Sequence, residues 1–235
     1  MKKYESTLQL ANEVWDKVYT QVPVEALQRM DVLAEKIRID NIPGDIVECG
    51  VWAGGSIIYL ANLFPNHKIW ACDSFDGFQE KQDGNYQYDK EVHTKQLHKH
   101  LDGSVWIRYA KTFVQRKEVF LEHLKEYEIG VPDHVEVIEG YFNQTLKPEV
   151  CPIKEISLLR VDADAYSATR EVLDFLYDKV VVGGYIIFDD WGVPSADAGM
   201  FDFFNARQIN ALSCMILPPS GCRCATMKKP GYSNK

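Results

Sequence analysis

No stretch of this chain stays apolar for the roughly 18 residues that a membrane-spanning helix needs, so no membrane span is expected. A basic surplus is missing as well: 26 Lys and Arg stand against 34 Asp and Glu, for a net charge of −8. Such a chain makes a poor non-specific ligand for nucleic acid or an anionic lipid surface. The start, Met1-Lys2-Lys3-Tyr4-Glu5-Ser6, is basic, but Asn12, Glu13, Asp16 and Lys17 interrupt the next segment. Without an apolar core this is not a signal peptide, and the expected location is the cytoplasm. The six cysteines show no CxxC spacing, and Cys222 and Cys224 are the only close pair. A disulfide framework or a zinc site is therefore not expected, and most thiols read as small core side chains. Internal repeats, low-complexity linkers and a GxGxxG loop are also absent.

What remains is an ordinary globular composition, 46% hydrophobic over 235 residues. That is enough for one domain, 1–235, with its own core. The first 40 residues read as a helical extension. Leu27, Met30, Leu33, Ala34 and Ile37 recur at three- and four-residue steps and share one helix face. Short apolar strands then alternate with helices. The strands are Ile46 to Cys49, Lys68 to Cys72, Val135 to Ile138, Ile156 to Val161 and Tyr185 to Phe188. The helices are Ser56 to Leu63, Arg116 to Tyr127 (Val119, Phe120 and Leu124 inward), Tyr166 to Tyr177 and Ala196 to Ala206. Arg160 reads as an interruption at the edge of its strand, and Gly183-Gly184 as a break before the next. Ser213 to Leu217 and Arg223 to Met227 read as a hairpin. Residues 79–112 are polar and aperiodic, which suggests a lid or insertion. The alternation predicts an α/β fold with a doubly wound parallel sheet, whose ligands sit at the carboxyl ends of the strands.

Two constellations fall at such ends. In the first, Glu48-Cys49-Gly50-Val51-Trp52-Ala53-Gly54-Gly55-Ser56 runs from strand through glycine loop to helix. The next strand ends at Asp73. Glycines let backbone approach a ligand, and a strand-end acid accepts bonds from ribose hydroxyls. The plain alternative is a tight turn with a solvated Asp. In the second, Asp162, Asp164, Asp189 and Asp190 directly follow two apolar strands. Carboxylates crowded together repel unless a cation neutralises them, and oxygen-only ligands suit Mg2+. The alternative is a solvated acidic rim. His93, His98, His100, His123 and His134 read as surface residues rather than bases. Trp52, Trp106 and Trp191 read equally as pocket walls or core.

Residues 44–56, Asp73-Ser74-Phe75-Asp76-Gly77-Phe78, residues 140–146, Leu159 to Tyr166 and Gly183 to Asp190 occur in an order that resembles the macrocin/mycinamicin/novobiocin-type sugar O-methyltransferases. That resemblance covers roughly residues 40–195. It implies a class I methyltransferase fold with a mostly parallel seven-stranded sheet and a C-terminal antiparallel hairpin. It also implies S-adenosyl-L-methionine and Mg2+ as cofactors and a sugar hydroxyl as acceptor. Glu48, Gly50, Val51, Trp52, Gly55 and Ser56 would hold the methionine end of the cofactor. Asp73 would hold the ribose, with Ser74 and Phe75 beside the adenosine and Gly140 and Phe142 on the adenine side. Asp162, Asp189 and Asp190 would be the metal ligands, and Asp162 or Asp164 the general base. The family's Ser-Thr pair is replaced here by Ala168-Thr169, Trp191 stands where Tyr is usual, and residues 79–112 match poorly. These departures fall where the acceptor would bind. The expected partners are a small glycoside or sugar and further copies of the chain. A phenol or catechol methyltransferase, a haloacid-dehalogenase-like phosphatase and a non-catalytic cofactor binder remain alternatives.

Overall fold

The computed structural model describes residues 4–77, 114–131, 133–218 and 223–231. The suggested lid at 79–112, with Trp106 and three of the histidines, lies outside the described residues. Seven strands form one sheet: β1 (Asp45–Cys49), β2 (Ile69–Asp73), β3 (Val135–Glu139), β4 (Ile156–Val161), β5 (Val180–Phe188), β6 (Met215–Ile216) and β7 (Ala225–Lys228). Their spatial order is β3-β2-β1-β4-β5-β7-β6. The first five pair in parallel, and β7 joins β5 and β6 antiparallel. This is the mostly parallel seven-stranded sheet, with its C-terminal hairpin, that the resemblance implied.

Every residue of the central strand β4 is buried, as a parallel strand covered on both faces must be. The period-2 alternation of side chains divides the core in two. Ile46 and Leu158 face one cluster, together with α1 (Thr7–Asp16), α2 (Val24–Ile39), α3 (Gly55–Leu63) and α4 (Lys117–Glu126). Val47 and Leu159 face the other, which includes α6 (Tyr166–Leu176) and α7 (Pro194–Ala206). Two short helices, α5 (Phe142–Thr145) and α8 (Ala211–Cys214), and a 3-10 turn at Tyr177–Lys179 complete the described elements. The α2 stripe is buried as its spacing predicts. Ser6 caps α1 by accepting from the Gln9 amide, and Pro194 opens α7, where a missing amide costs nothing.

Three local expectations change. Val119 is only half-buried, while Phe120 and Leu124 carry the inward face of α4. Gly183-Gly184 does not break the chain, because β5 runs through it. Val180 pairs with Ile156 and Tyr185 with Leu158, so the extra β5 residues are accommodated as a bulge, with Gly183 at φ +84°. Arg160 is no edge residue: it is fully buried on the innermost strand. Cys49, Cys72, Cys151 and Cys224 are buried free thiols, as expected of core cysteines. Among the described residues no helix is long and apolar enough to cross a membrane.

Candidate active site

The carboxyl ends of the strands are fastened to one another by backbone hydrogen bonds. The Asp189 amide donates to Val161, that of Asp162 to Cys49, that of Gly50 to Cys72 and that of Gly140 to Asp73, each over 2.9–3.0 Å. Functional side chains on β1 to β5 therefore share one rigid edge. Gly50 is required by this closeness. It sits at φ +92°, and a Cβ there would lie 1.7 Å from the Asp162 carbonyl oxygen.

Asp73 organises the glycine loop. Its Oδ2 accepts from the amides of Val51 (2.8 Å) and Trp52 (3.1 Å), and its Oδ1 from that of Phe75 (2.7 Å). A carboxylate has about four acceptor sites, so capacity for hydroxyl donors remains. Ser74 Oγ donates to Gly77 O at 2.7 Å and closes the turn after β2. Phe75 is buried against Phe120. Val51 is buried and Trp52 half-buried at φ +45°. Gly140 adjoins Asp73 through its amide, whereas Phe142 packs on the second core cluster. Gly55 faces away from the loop's open side. Its amide donates to Tyr19 O at 2.7 Å, and the Tyr19 carbonyl and the Thr20 side chain leave no room for a Cβ. Tyr19 in turn stacks on His123 with ring centroids 3.6 Å apart, and His123 Nδ1 donates to Ala53 O at 2.8 Å. The turn between α1 and α2 is thus clamped onto the loop. His123, read from sequence as a surface residue, is a half-buried part of that clamp.

Across the edge, Asp162, Asp164 and Asp190 offer oxygens within 4.8 Å of one another. Asp190 Oδ2 accepts from the amides of Ala163 (3.0 Å) and Asp164 (2.7 Å). Asp164 holds a left-handed φ of +54°, and its carbonyl accepts from Ser195 Oγ at 2.7 Å. This trio has Asp164 where the sequence reading had Asp189. The Asp189 Oδ1 instead lies 2.6 Å from Arg160 Nη2 and accepts from the Cys224 thiol at 2.9 Å. Trp191 packs at the rim against Phe201.

Arg160 was missed as a functional residue. Its Nη1 bonds Glu48 Oε1 at 2.5 Å and Asp162 Oδ2 at 2.9 Å, and Glu48 Oε1 also accepts from Ser56 Oγ at 2.5 Å. The available signal was a lone cation inside a six-residue buried strand, which must find acids to be tolerated there. Arg160 in contact, with Arg223 acting on Asp164 from farther off, does not balance so many acids. Burial, opposed by Arg160 and reinforced by Asp189, Asp190 and Glu48, holds the Asp162 carboxyl well above its usual range. Burial and the Asp162 charge push Asp164 up to about 7. Burial, Asp164 and Asp189 raise Asp190 as well. The cluster is short of positive charge.

A family model for macrocin-O-methyltransferase (TylF) matches residues 2–216. The chain belongs to that family. Similar proteins include the mycinamicin III 3''-O-methyltransferase of Micromonospora griseorubida, 27% identical over 82% of this chain and 72% of that one. The demethyldecarbamoylnovobiocin O-methyltransferase of Streptomyces niveus is 31% identical over 77% of this chain and 66% of that one. Among solved structures, the O-methyltransferase NovP superposes with a TM-score of 0.77 at 25% identity, covering 91% of this chain and 83% of NovP. This macrocin-O-methyltransferase family member is accordingly an O-methyltransferase enzyme.

Proposed function

We propose that the protein transfers a methyl group from S-adenosyl-L-methionine to a hydroxyl of a sugar or glycosylated natural product, with Mg2+ at the acidic cluster. The observation that carries this reading is the single sheet edge that joins the Asp73-organised loop to the Asp162–Asp164–Asp190 trio. The relatives named for mycinamicin III, demethyldecarbamoylnovobiocin and a dimethoxy-rhamnosyl tetracenomycin C support the acceptor class.

The residues fit both groups. Glu48 Oε2 is buried with no hydrogen-bond partner among the described residues, which suits an ammonium donor such as the methionine end of the cofactor. Asp73 suits the ribose. The raised carboxyls of the trio suit a hard divalent ion, with Asp162, Asp164 and Asp190 as its ligands and Asp189 beside them. When bound, the cofactor supplies an electrophilic methyl group and the ion lowers the pKa of a hydroxyl. The chain's own task is placement. The loop fixes the donor, the strand ends fix the acceptor's acids, and Asp162 or Asp164 accepts the hydroxyl proton. Such positioning is worth about 7–11 kcal/mol in well-oriented systems.

The test is mass spectrometry of candidate glycosides incubated with labelled cofactor, with Mg2+ and with excess EDTA. A methylated glycoside formed only with the metal is expected. Full transfer in EDTA removes the ion from the reading. Transfer to catechols but not to glycosides moves the acceptor class to phenols, and phosphate release without cofactor points to a phosphatase.

A further inference from the structure

We propose that Arg160 is a positioning residue that couples the cofactor loop to the metal cluster, so that filling one site tightens the other. The inference rests on the function proposed above and names a residue that does not itself meet the reacting atoms.

Three observations carry it. First, Arg160 is placed to be a junction. It stands in register opposite Glu48 on β1 and Ile187 on β5, with its side chain fully buried. Second, its guanidinium touches acids from three neighbouring strands, Glu48 on β1, Asp162 at the end of β4 and Asp189 at the end of β5. Third, the chain of contacts continues in both directions. Glu48 Oε1 takes the Ser56 hydroxyl at the start of α3, and Asp189 Oδ1 takes the Cys224 thiol from the residue before β7. One unbroken path runs from the helix after the glycine loop to the carboxylates that face the ion.

A guanidinium is planar, with donors fixed in a fork. If Glu48 is held by a ligand, the fork is held, and with it the orientation of Asp162 and Asp189. A second ligand then meets carboxylates already ordered and loses less conformational entropy on binding. Coupling of this kind must be reciprocal. A lysine keeps the charge but, as a point donor on a flexible stem, cannot hold three acids in one plane.

The experiment is a Mn2+ titration of the full chain followed by electron paramagnetic resonance, with and without saturating S-adenosylhomocysteine. In the unaltered protein, S-adenosylhomocysteine is expected to tighten Mn2+ at least about fivefold, the lower end of ordinary coupling between sites. Mn2+ should tighten S-adenosylhomocysteine by the same factor in calorimetry. Arg160→Lys should bind each ligand singly with the factor reduced below about twofold. Glu48→Gln breaks the same path from the other side; it should weaken S-adenosylhomocysteine itself, leave Mn2+ alone as tight, still reduce the factor below about twofold at saturating S-adenosylhomocysteine, and carries the test if Arg160→Lys does not fold. A merely structural ion pair would lower stability and leave the factor unchanged. Binding of both ligands without coupling in the unaltered protein, or wild-type coupling in a folded variant, overturns the proposal. No binding of either ligand to the unaltered protein overturns the proposed function, and this inference with it.

Discussion

At the end of β2, Asp73 has both oxygens occupied by backbone amides of its own loop and of the loop after β1. At the ends of β4 and β5, carboxylates converge on one another and on the Arg160 guanidinium. The first acid is settled by neutral donors that the local fold supplies. The second group is held together by strand pairing against its own repulsion. The difference shows where each half stands without ligand: the donor side is largely formed, while the acidic side has a charge imbalance that a proton or a bound cation relieves.

The sharpest way to break this comparison is Asp162→Asn, which keeps the shape and removes one charge. Methyl transfer should fall by about 10³-fold, or about 4 kcal/mol, in single-turnover kinetics, with S-adenosylhomocysteine binding to the metal-free protein changed less than about threefold. Loss of cofactor affinity in the metal-free protein as well would mean that the donor side is not formed independently of the acids. Gly50→Ala tests the backbone seam between them. Its Cβ would meet the Asp162 carbonyl at 1.7 Å, so urea denaturation should show a loss of about 3 kcal/mol; a loss of a few tenths would mean that the strand ends are free to part. Asp73→Ala strikes the donor side alone. Its S-adenosylhomocysteine affinity should drop about tenfold, or about 1.4 kcal/mol, by calorimetry, while Mn2+ affinity of the cofactor-free protein stays put. The smallest effect is expected from Tyr19→Phe. It removes the 2.8 Å bond to the partly exposed Glu126 but keeps the stack on His123, and should cost about 0.5 kcal/mol, read as a Tm shift of one to a few degrees.

The fold was largely legible because its signals are local. The α2 stripe, the short apolar strands and the acids directly after them are patterns within one segment, and each predicts which face or end its residues occupy. What escaped depends on neighbours far along the chain. Arg160 looked like an interruption because the acids that justify it come from β1 and β5. Gly50 looked like a ligand-approach glycine, whereas its immediate reason is the carbonyl of Asp162. Gly183-Gly184 looked like a stop, because a bulge is defined only by the partner strand. The clamp of Tyr19 on His123 and Ala53 joins residues about a hundred positions apart, and no periodicity announces it.

The antiparallel strand β7 enters the sheet between β5 and β6, although α7, α8 and β6 separate it from β5 in the chain. On the ribosome, β1, β2 and β3 with their helices emerge long before Ala225, and can pair while β5 is still unmade. When β5 does emerge, its outer edge stays open until β7 arrives to cover it, with Cys224 then reaching Asp189. The acid-bearing part of the enzyme is thus the last to mature. A nascent or truncated chain ending before residue 225 carries a bare apolar strand edge, a ready template for pairing with another molecule.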